Sequence, residues 1–294
     1  MRLKPKILVI VGPTSSGKSE LAVKLAKKLN GEVVSADSRQ VYKGLNIGAG
    51  KITEAEMRGV SHHLLDVAHP SKQFSVAEYK RLAEKTIDKI LDKGRLPIIC
   101  GGTGFYIQAI VDNLVLPEVP PNPKLRNRLE QKSVSQLFSI LKKLDSRRAG
   151  TIDKNNRRRL IRAIEIATAI GKVPKIKTKS KYSAQILGIK LKDDELKRRI
   201  RRRLNLRLKR GMIAEAKRLH ENGLSWKRMD QLGLEYRYLS QYLQGKISKK
   251  EMTEKIYIEN WHYAKRQMTW FKRDKRIDWI KNSKSDKLAL KYCQ

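Results

Sequence analysis

Gly12-Pro13-Thr14-Ser15-Ser16-Gly17-Lys18-Ser19 spells G-x-x-x-x-G-K-[ST], a set of residues that serves one chemistry. The glycines let backbone N–H groups turn inward around a diphosphate, Lys18 adds a mobile cation, and Ser19 can place a hydroxyl on Mg²⁺. The loop works only between a buried strand and the N-terminus of a helix, whose dipole favours negative charge. Both flanks are legible. Ile7-Leu8-Val9-Ile10-Val11 is a strand-like run that ends at Gly12-Pro13, and Leu21, Ala22, Leu25, Ala26 and Leu29 recur at helix spacing over 19–29. The loop alone does not say whether its diphosphate belongs to a nucleotide. In common nucleotidases a second strand ends in an acid for Mg²⁺, but here the apolar run 96–100 ends in Gly101-Gly102-Thr103-Gly104. That argues against an ordinary ATPase. The nearest carboxylate at a strand end is Asp37, after Val33-Val34-Ser35, and it is open to three readings: an outer metal ligand, a general base, or a turn cap with Ser38.

The elements around these residues alternate short apolar runs with amphipathic stretches, as parallel α/β units do. A helix is expected over 76–93, ended by Gly94, and the strand 96–100 follows it. Four prolines in 116–124 stop regular structure. The expected division is therefore a phosphate-loop core over 1–116, a helical insertion over 117–183, and a core completion with further helices over 184–294. Within the last part, 184–191 reads as a strand that rejoins the sheet. A long helix is expected over 194–222, with Leu196, Ile200, Leu204 and Leu208 as its apolar stripe, then helices near 231–243 and 249–274 and a strand over 277–280.

Across 294 residues, 66 Lys and Arg stand against 29 Asp and Glu, a formal net charge of +37. Residues 1–115 hold 18 basic and 11 acidic side chains, leaving 48 and 18 for the remainder, so a polyanion surface is expected mainly in the second part. With only Cys100 and Cys293, a disulfide framework or zinc cluster is excluded by count. No apolar run is long enough for a bilayer span, and residues 1–19 reach Gly and Pro too soon for a signal peptide, so a soluble, cytoplasmic protein is expected. One active site per chain makes a monomer the default.

Six blocks in order, GPTSSGKS, ADSRQVYKGLNIGAGK, HHLLDV, CGGTGFYIQAI, RRLIRAIEI and AKRQMTWFKR, resemble the tRNA dimethylallyltransferases over about residues 7–280. The resemblance implies a core like that of nucleotide kinases with a helical insertion that grips the anticodon arm. It also implies transfer of an isopentenyl group from dimethylallyl diphosphate to the exocyclic amine of the adenine 3′ of the anticodon. Two blocks depart from the family's pattern: its IGTAK-P stands here as Ile47-Gly48-Ala49-Gly50-Lys51-Ile52, and its GYRQ or GYKE as Gly233-Leu234-Glu235-Tyr236. No zinc-finger tail follows the last block, so the bacterial type is the better match.

Carried over residue by residue, the resemblance makes Asp37 the base that accepts the amine's proton. Lys18, the loop backbone from Gly12 to Ser19, and Mg²⁺ on Ser19 would hold the diphosphate. Thr14 and Thr103 match positions near the reacting groups, with local backbone bonding as the alternative for each. Arg203 aligns with a helix motif that reaches the diphosphate, against a solvated or RNA-facing arginine run. Asp37, Ser38, Arg39 and Gln40 match the segment that meets the base, Gln40 being suited to an adenine edge. The base must be turned out of its stack to react. Further tRNA contacts are implied for Thr103, Arg126, Arg158, Arg159 and Arg162, with Leu160 and Ile161 packing inward. In 265–273, Lys265, Arg266, Gln267, Thr269 and Arg273 combine with Trp270 as cation-and-aromatic RNA readers do, though Trp270 and Phe271 are expected in the core. His62 and His63 lack ligand partners at metal spacing and receive no role. The competing functions are a P-loop small-molecule kinase with a basic surface and a non-catalytic RNA-binding protein. The lysine-rich 172–181 linker and 281–291 tail exceed what the shared blocks require.

Overall fold

The computed structural model describes residues 4–175 and 178–280. Cys293, the 281–291 tail and positions 176–177 of the basic linker lie outside them. The chain opens as β1 (Lys6–Val11) and α1 (Lys18–Lys28), then β2 (Gly31–Ser35), the short α2 (Glu54–Met57) and β3 (His62–His63). It continues as α3 (Val76–Asp92), β4 (Leu96–Gly101) and α4 (Gly104–Val111). Ser75 and Glu78 cap α3 reciprocally, which fixes its start where the sequence places it.

Residues 114–179 form a separate compact unit. It contains α5 (Pro123–Glu130), α6 (Val134–Leu144), α7 (Ser146–Ala149) and α8 (Arg157–Ile170) around its own core, which includes Leu129, Leu137, Leu141, Leu160 and Ile164. The proline-rich stretch ends by starting a helix: Asn122 caps α5 and Pro123 takes the first turn, where a missing N–H costs nothing. The expected 117–183 insertion is thus shifted to 114–179. Tyr182 is buried in the core of the first unit and Ser183 already pairs with β1, which ties 180–183 to the sheet.

The chain returns as β5 (Ser183–Ile189), α9 (Asp193–Lys209), α10 (Met212–Glu221), α11 (Trp226–Leu232), α12 (Leu234–Leu243), α13 (Lys249–Phe271) and β6 (Ile277–Ile280). The single helix expected over 194–222 is two. Gly211, at φ 92°, caps α10 in a left-handed conformation that redirects the chain. Likewise the helix expected from 231 is α12, separated from α11 by Gly233 at φ 72°.

Among the described residues, six strands form one parallel sheet in the order β3-β2-β4-β1-β5-β6. Both faces are covered, which is why β1 reads as an unbroken apolar run. Ile7, Val9 and Val11 enter one core with Tyr79, Ile87 and Ile90 of α3, while Leu8 and Ile10 pack with Ala22, Leu25 and Ala26 of α1 on the other side. The loops after β1, β2 and β4 all leave the same end of the sheet, where ligands of such sheets bind.

Candidate active site

The phosphate loop leaves β1 at Gly12 and enters α1 through Gly17, whose φ of 95° suits a residue without a Cβ. Lys18 Nζ folds back to donate to the Pro13 carbonyl at 3.2 Å. Desolvation lowers the Lys18 pKa, and the charge of Arg203 lowers it further, opposed by the carboxylate of Asp37. Ser16 Oγ is buried without a hydrogen-bond partner. An orphaned hydroxyl inside such a loop is suited to a phosphate oxygen. Ser15 and Ser19 are half-buried, Ser15 at φ 62°.

Two arginines of α9 reach this loop. Arg203 Nη1 donates to Thr14 Oγ1 at 3.3 Å, and Arg199 Nη1 to the Ser16 carbonyl at 3.4 Å. Arg203 Nη2 donates to the Gly50 carbonyl at 2.8 Å, which also accepts from Gln40 Nε2 at 3.3 Å. Desolvation, then the neighbouring Arg207, push the Arg203 pKa down to about 10. A bound anion would relieve that cost. Arg203 is thus engaged with the phosphate loop and the 46–51 loop, where a solvated arginine run would leave it free.

The facing wall is the turn after β2. Asp37 Oδ1 accepts from Arg39 N at 2.8 Å and Gln40 N at 3.3 Å, so the carboxylate does cap its turn, through residues 39 and 40 rather than through Ser38. Both bonds fall on one oxygen. Ser38 N donates instead to Thr103 Oγ1 at 3.0 Å, and Thr103 N to the Ala36 carbonyl at 3.1 Å. A Cβ at Gly101 would collide with the Ala36 carbonyl, which is why β4 ends in glycines.

The 46–51 loop, one of the two departing blocks, is held by a buried carboxylate. Glu215 accepts from Asn46 N at 3.0 Å, Ile47 N at 2.7 Å, Gly48 N at 2.9 Å and the Tyr236 hydroxyl at 2.8 Å. Arg207 donates to the Gly48 carbonyl at 2.7 Å and pairs with Glu235 at 2.8 Å, which Asn260 also meets. The second departing block, Glu235 and Tyr236, therefore supports the first.

The expected tRNA contacts fall into two groups. Arg158, Arg159, Lys265 and Arg266 are exposed, the last paired with Glu259 at 2.7 Å. Thr269 and Arg273 are exposed too. Arg126 and Arg162 instead converge on Glu165, which is 2% exposed, Arg126 in a fork at 2.9 and 2.8 Å. Their first task is to neutralise a buried acid of the 114–179 unit. Gln267, expected among the tRNA contacts, is instead 5% exposed, accepts from Thr14 N at 2.8 Å and donates to the Gly102 carbonyl at 2.9 Å, so its amide is engaged by the two loops. Phe271 is buried, and Trp270 packs on the core and edge-on to Phe105, as expected of both. Leu160 and Ile161 are buried likewise. His63 bonds the buried Glu32 at 2.6 Å, a structural partner and not a metal ligand.

Arg199, Arg207 and Glu215 were missed in the sequence. Arg199, Arg203 and Arg207 share the i, i+4 spacing of the apolar stripe beside them, a signal that reading only leucines conceals. Among the described residues no group of three His, Cys, Asp or Glu side chains could hold a metal. A hydroxyl at Ser19 and one carboxylate at Asp37 nevertheless fit Mg²⁺, which keeps several waters and takes its other oxygens from substrate phosphates.

A parallel sheet with this loop at its β1 exit, and with the Asp37 turn facing it, defines a P-loop-type α/β protein. The IPP transferase family model matches residues 40–274. The tRNA dimethylallyltransferase 1 of Syntrophus aciditrophicus is 42% identical over 97% of this chain and 96% of its own length. Among solved structures, the tRNA isopentenylpyrophosphate transferase of Bacillus halodurans superposes with a TM-score of 0.74 at 38% identity, covering 99% of this chain and 95% of that one. A eukaryotic dimethylallyltransferase acting on tRNA gives a TM-score of 0.79 at 28% identity over 90% of this chain and 69% of that one. The chain belongs to the IPP transferase family, whose members are tRNA dimethylallyltransferases. The small-molecule kinase alternative is not favoured.

Proposed function

We propose that this protein transfers the dimethylallyl group of dimethylallyl diphosphate to the exocyclic amine of the adenine 3′ of the anticodon. The observation that carries this reading is the placement of Arg203. One guanidinium touches the phosphate loop at Thr14 and the carbonyl of Gly50, which also anchors Gln40. The diphosphate cradle and the base-reading turn are thereby parts of one site.

An adenine amine is a poor nucleophile because its lone pair is delocalised into the ring. In the proposed reaction that pair forms the new C–N bond to the allylic carbon as the C–O bond to diphosphate breaks. The electrons of the C–O bond leave with the diphosphate, and the amine's proton passes to Asp37. Asp37 Oδ1 is held by Arg39 N and Gln40 N, which leaves Oδ2 for the proton. The leaving group gains charge as the bond breaks, so Lys18, Arg203, Arg199 and the loop N–H groups stabilise the transition state more than the ground state. Mg²⁺, held by Ser19 and the diphosphate with Asp37 nearby, would supply further charge neutralisation.

The tRNA anticodon stem-loop is the macromolecular substrate in this reading, and the exposed Arg158, Arg159, Lys265 and Arg266 supply phosphate contacts. The basic surplus favours a polyanion over a small neutral ligand. No described helix is long and apolar enough to cross a membrane. A monomer acting in the cytoplasm, where tRNA is found, is the simplest form of the proposal. Labelled dimethylallyl diphosphate incubated with unmodified tRNA should yield RNA-bound label and a mass increase on the nucleoside 3′ of the anticodon. Salt-sensitive tRNA binding with no change in RNA mass would point to a non-catalytic RNA-binding protein, and ATP consumption without RNA to a kinase.

A further inference from the structure

We propose that Gln267 is a positioning residue that joins the diphosphate side of the site to the adenine side; this rests on the reading above. Its amide spans the two halves. Oε1 accepts from Thr14 N at 2.8 Å, and Nε2 donates to the Gly102 carbonyl at 2.9 Å. Because one end must accept and the other must donate, only one amide orientation satisfies both, and of the other side chains of that length only a protonated Glu could do the same.

Each end leads to a reactant. Thr14 lies in the phosphate loop, with its hydroxyl held by Arg203. Gly102 precedes Thr103, whose Oγ1 takes Ser38 N and so fixes the turn that carries Asp37. A Cβ at Gly102 would collide with Gln267 Nε2, so glycine at 102 is what admits the amide. A long helix packed on the core by Ile256, Ala264 and Phe271 therefore adds a side-chain tie between the two loops, beyond the pairing of β1 with β4 beneath them. Displacing reacting atoms by about 1 Å costs on the order of 100-fold in rate.

Two variants test this. Gln267→Met keeps the buried volume and removes both hydrogen bonds. Its single-turnover transfer rate should fall about 10- to 100-fold. The Kd for tRNA should stay within about two-fold and the KM for the allylic diphosphate should change far less than the rate. Gln267→Glu adds a readout that packing alone would not move. As a carboxylate it opposes the Gly102 carbonyl, and as a neutral acid it can accept from Thr14 N and donate to Gly102 as the amide does. Its rate relative to Gln267→Met at the same pH should therefore rise as pH falls. A tRNA affinity that drops in step with turnover would make Gln267 an RNA contact and overturn the proposal, as would an unchanged rate in folded Gln267→Met. If Gln267→Met does not fold, Gln267→Glu is compared with the wild type across the same pH series, and a flat ratio overturns the proposal. Absence of transfer by the wild-type protein would instead refute the activity itself.

Discussion

Replacing Asp37 by Asn is the sharpest test of the chemistry, because the structure separates the two tasks of that carboxylate. Oδ1 accepts from Arg39 N at 2.8 Å and Gln40 N at 3.3 Å, and Oδ2 is the oxygen assigned to the proton. An Asn amide keeps an acceptor at Oδ1, so the turn and the placement of Gln40 survive while the base is lost. A positioned general base contributes about 10²- to 10⁴-fold, or about 3–5 kcal/mol. Asp37→Asn should therefore lose that much in single-turnover rate under saturating donor, with tRNA affinity by filter binding within about two-fold. Asp37→Ala should behave differently. It also removes the cap, worth about 0.5–2 kcal/mol, so up to that much tRNA affinity is lost together with turnover. A rate for Asp37→Asn within ten-fold of wild type would refute the general-base role. Equal loss of binding and rate in Asp37→Asn would make Asp37 a binding residue.

Glu215→Gln cannot satisfy all of Asn46 N, Ile47 N, Gly48 N and the Tyr236 hydroxyl, because one oxygen becomes a donor. A loss of about 1.5–3 kcal/mol is expected for the hydrogen bond to a charged group that disappears, read as a lower midpoint in denaturant and a weaker tRNA affinity through Gln40. In the 114–179 unit, burial alone would raise the Glu165 carboxyl, but hydrogen bonds from Arg126, Asn122 N and Arg162 hold it below its usual range. Its contribution is thus present above the unfolded carboxyl's pKa, about 4.3, and fades as pH falls through the lower folded value. Glu165→Ala, which strands two arginines, should cost about 3–5 kcal/mol by chemical denaturation at neutral pH, and a difference under about 1 kcal/mol would contradict the arrangement. Finally, tRNA affinity should fall steeply with salt and allylic diphosphate affinity much less, since the slope follows the number of phosphates neutralised. Equal slopes in the two titrations would contradict the division between a broad RNA-binding surface and a small diphosphate cradle.

Much of the architecture was legible because it is local. The phosphate loop has a fixed spacing, β1 is an unbroken apolar run, and Ser75 with Glu78 marks the start of α3. The helix breaks at Gly211 and Gly233 were not read, because a glycine inside a periodic pattern states only that a left-handed turn is permitted; φ values of 92° and 72° show that it is used. The α13 stripe of Met252, Ile256, Asn260, Ala264, Gln267 and Phe271 was legible in principle and would have placed Gln267 inside.

By itself, then, the sequence determined the phosphate-loop spacing, the parallel sheet and the basic excess from which a polyanion partner is expected, since each is a property of residue type and short-range spacing. Tertiary structure decided which polar groups face which. Arg126 and Arg158 are the same residue type on basic helices of one unit, yet one neutralises buried Glu165 and the other is exposed. Gln267 meets Thr14 across 253 residues of chain, and Arg203 meets Thr14 across 189. An arginine or an amide carries no mark of its partner; only the packing of α9 and α13 against the sheet brings these groups within hydrogen-bond reach.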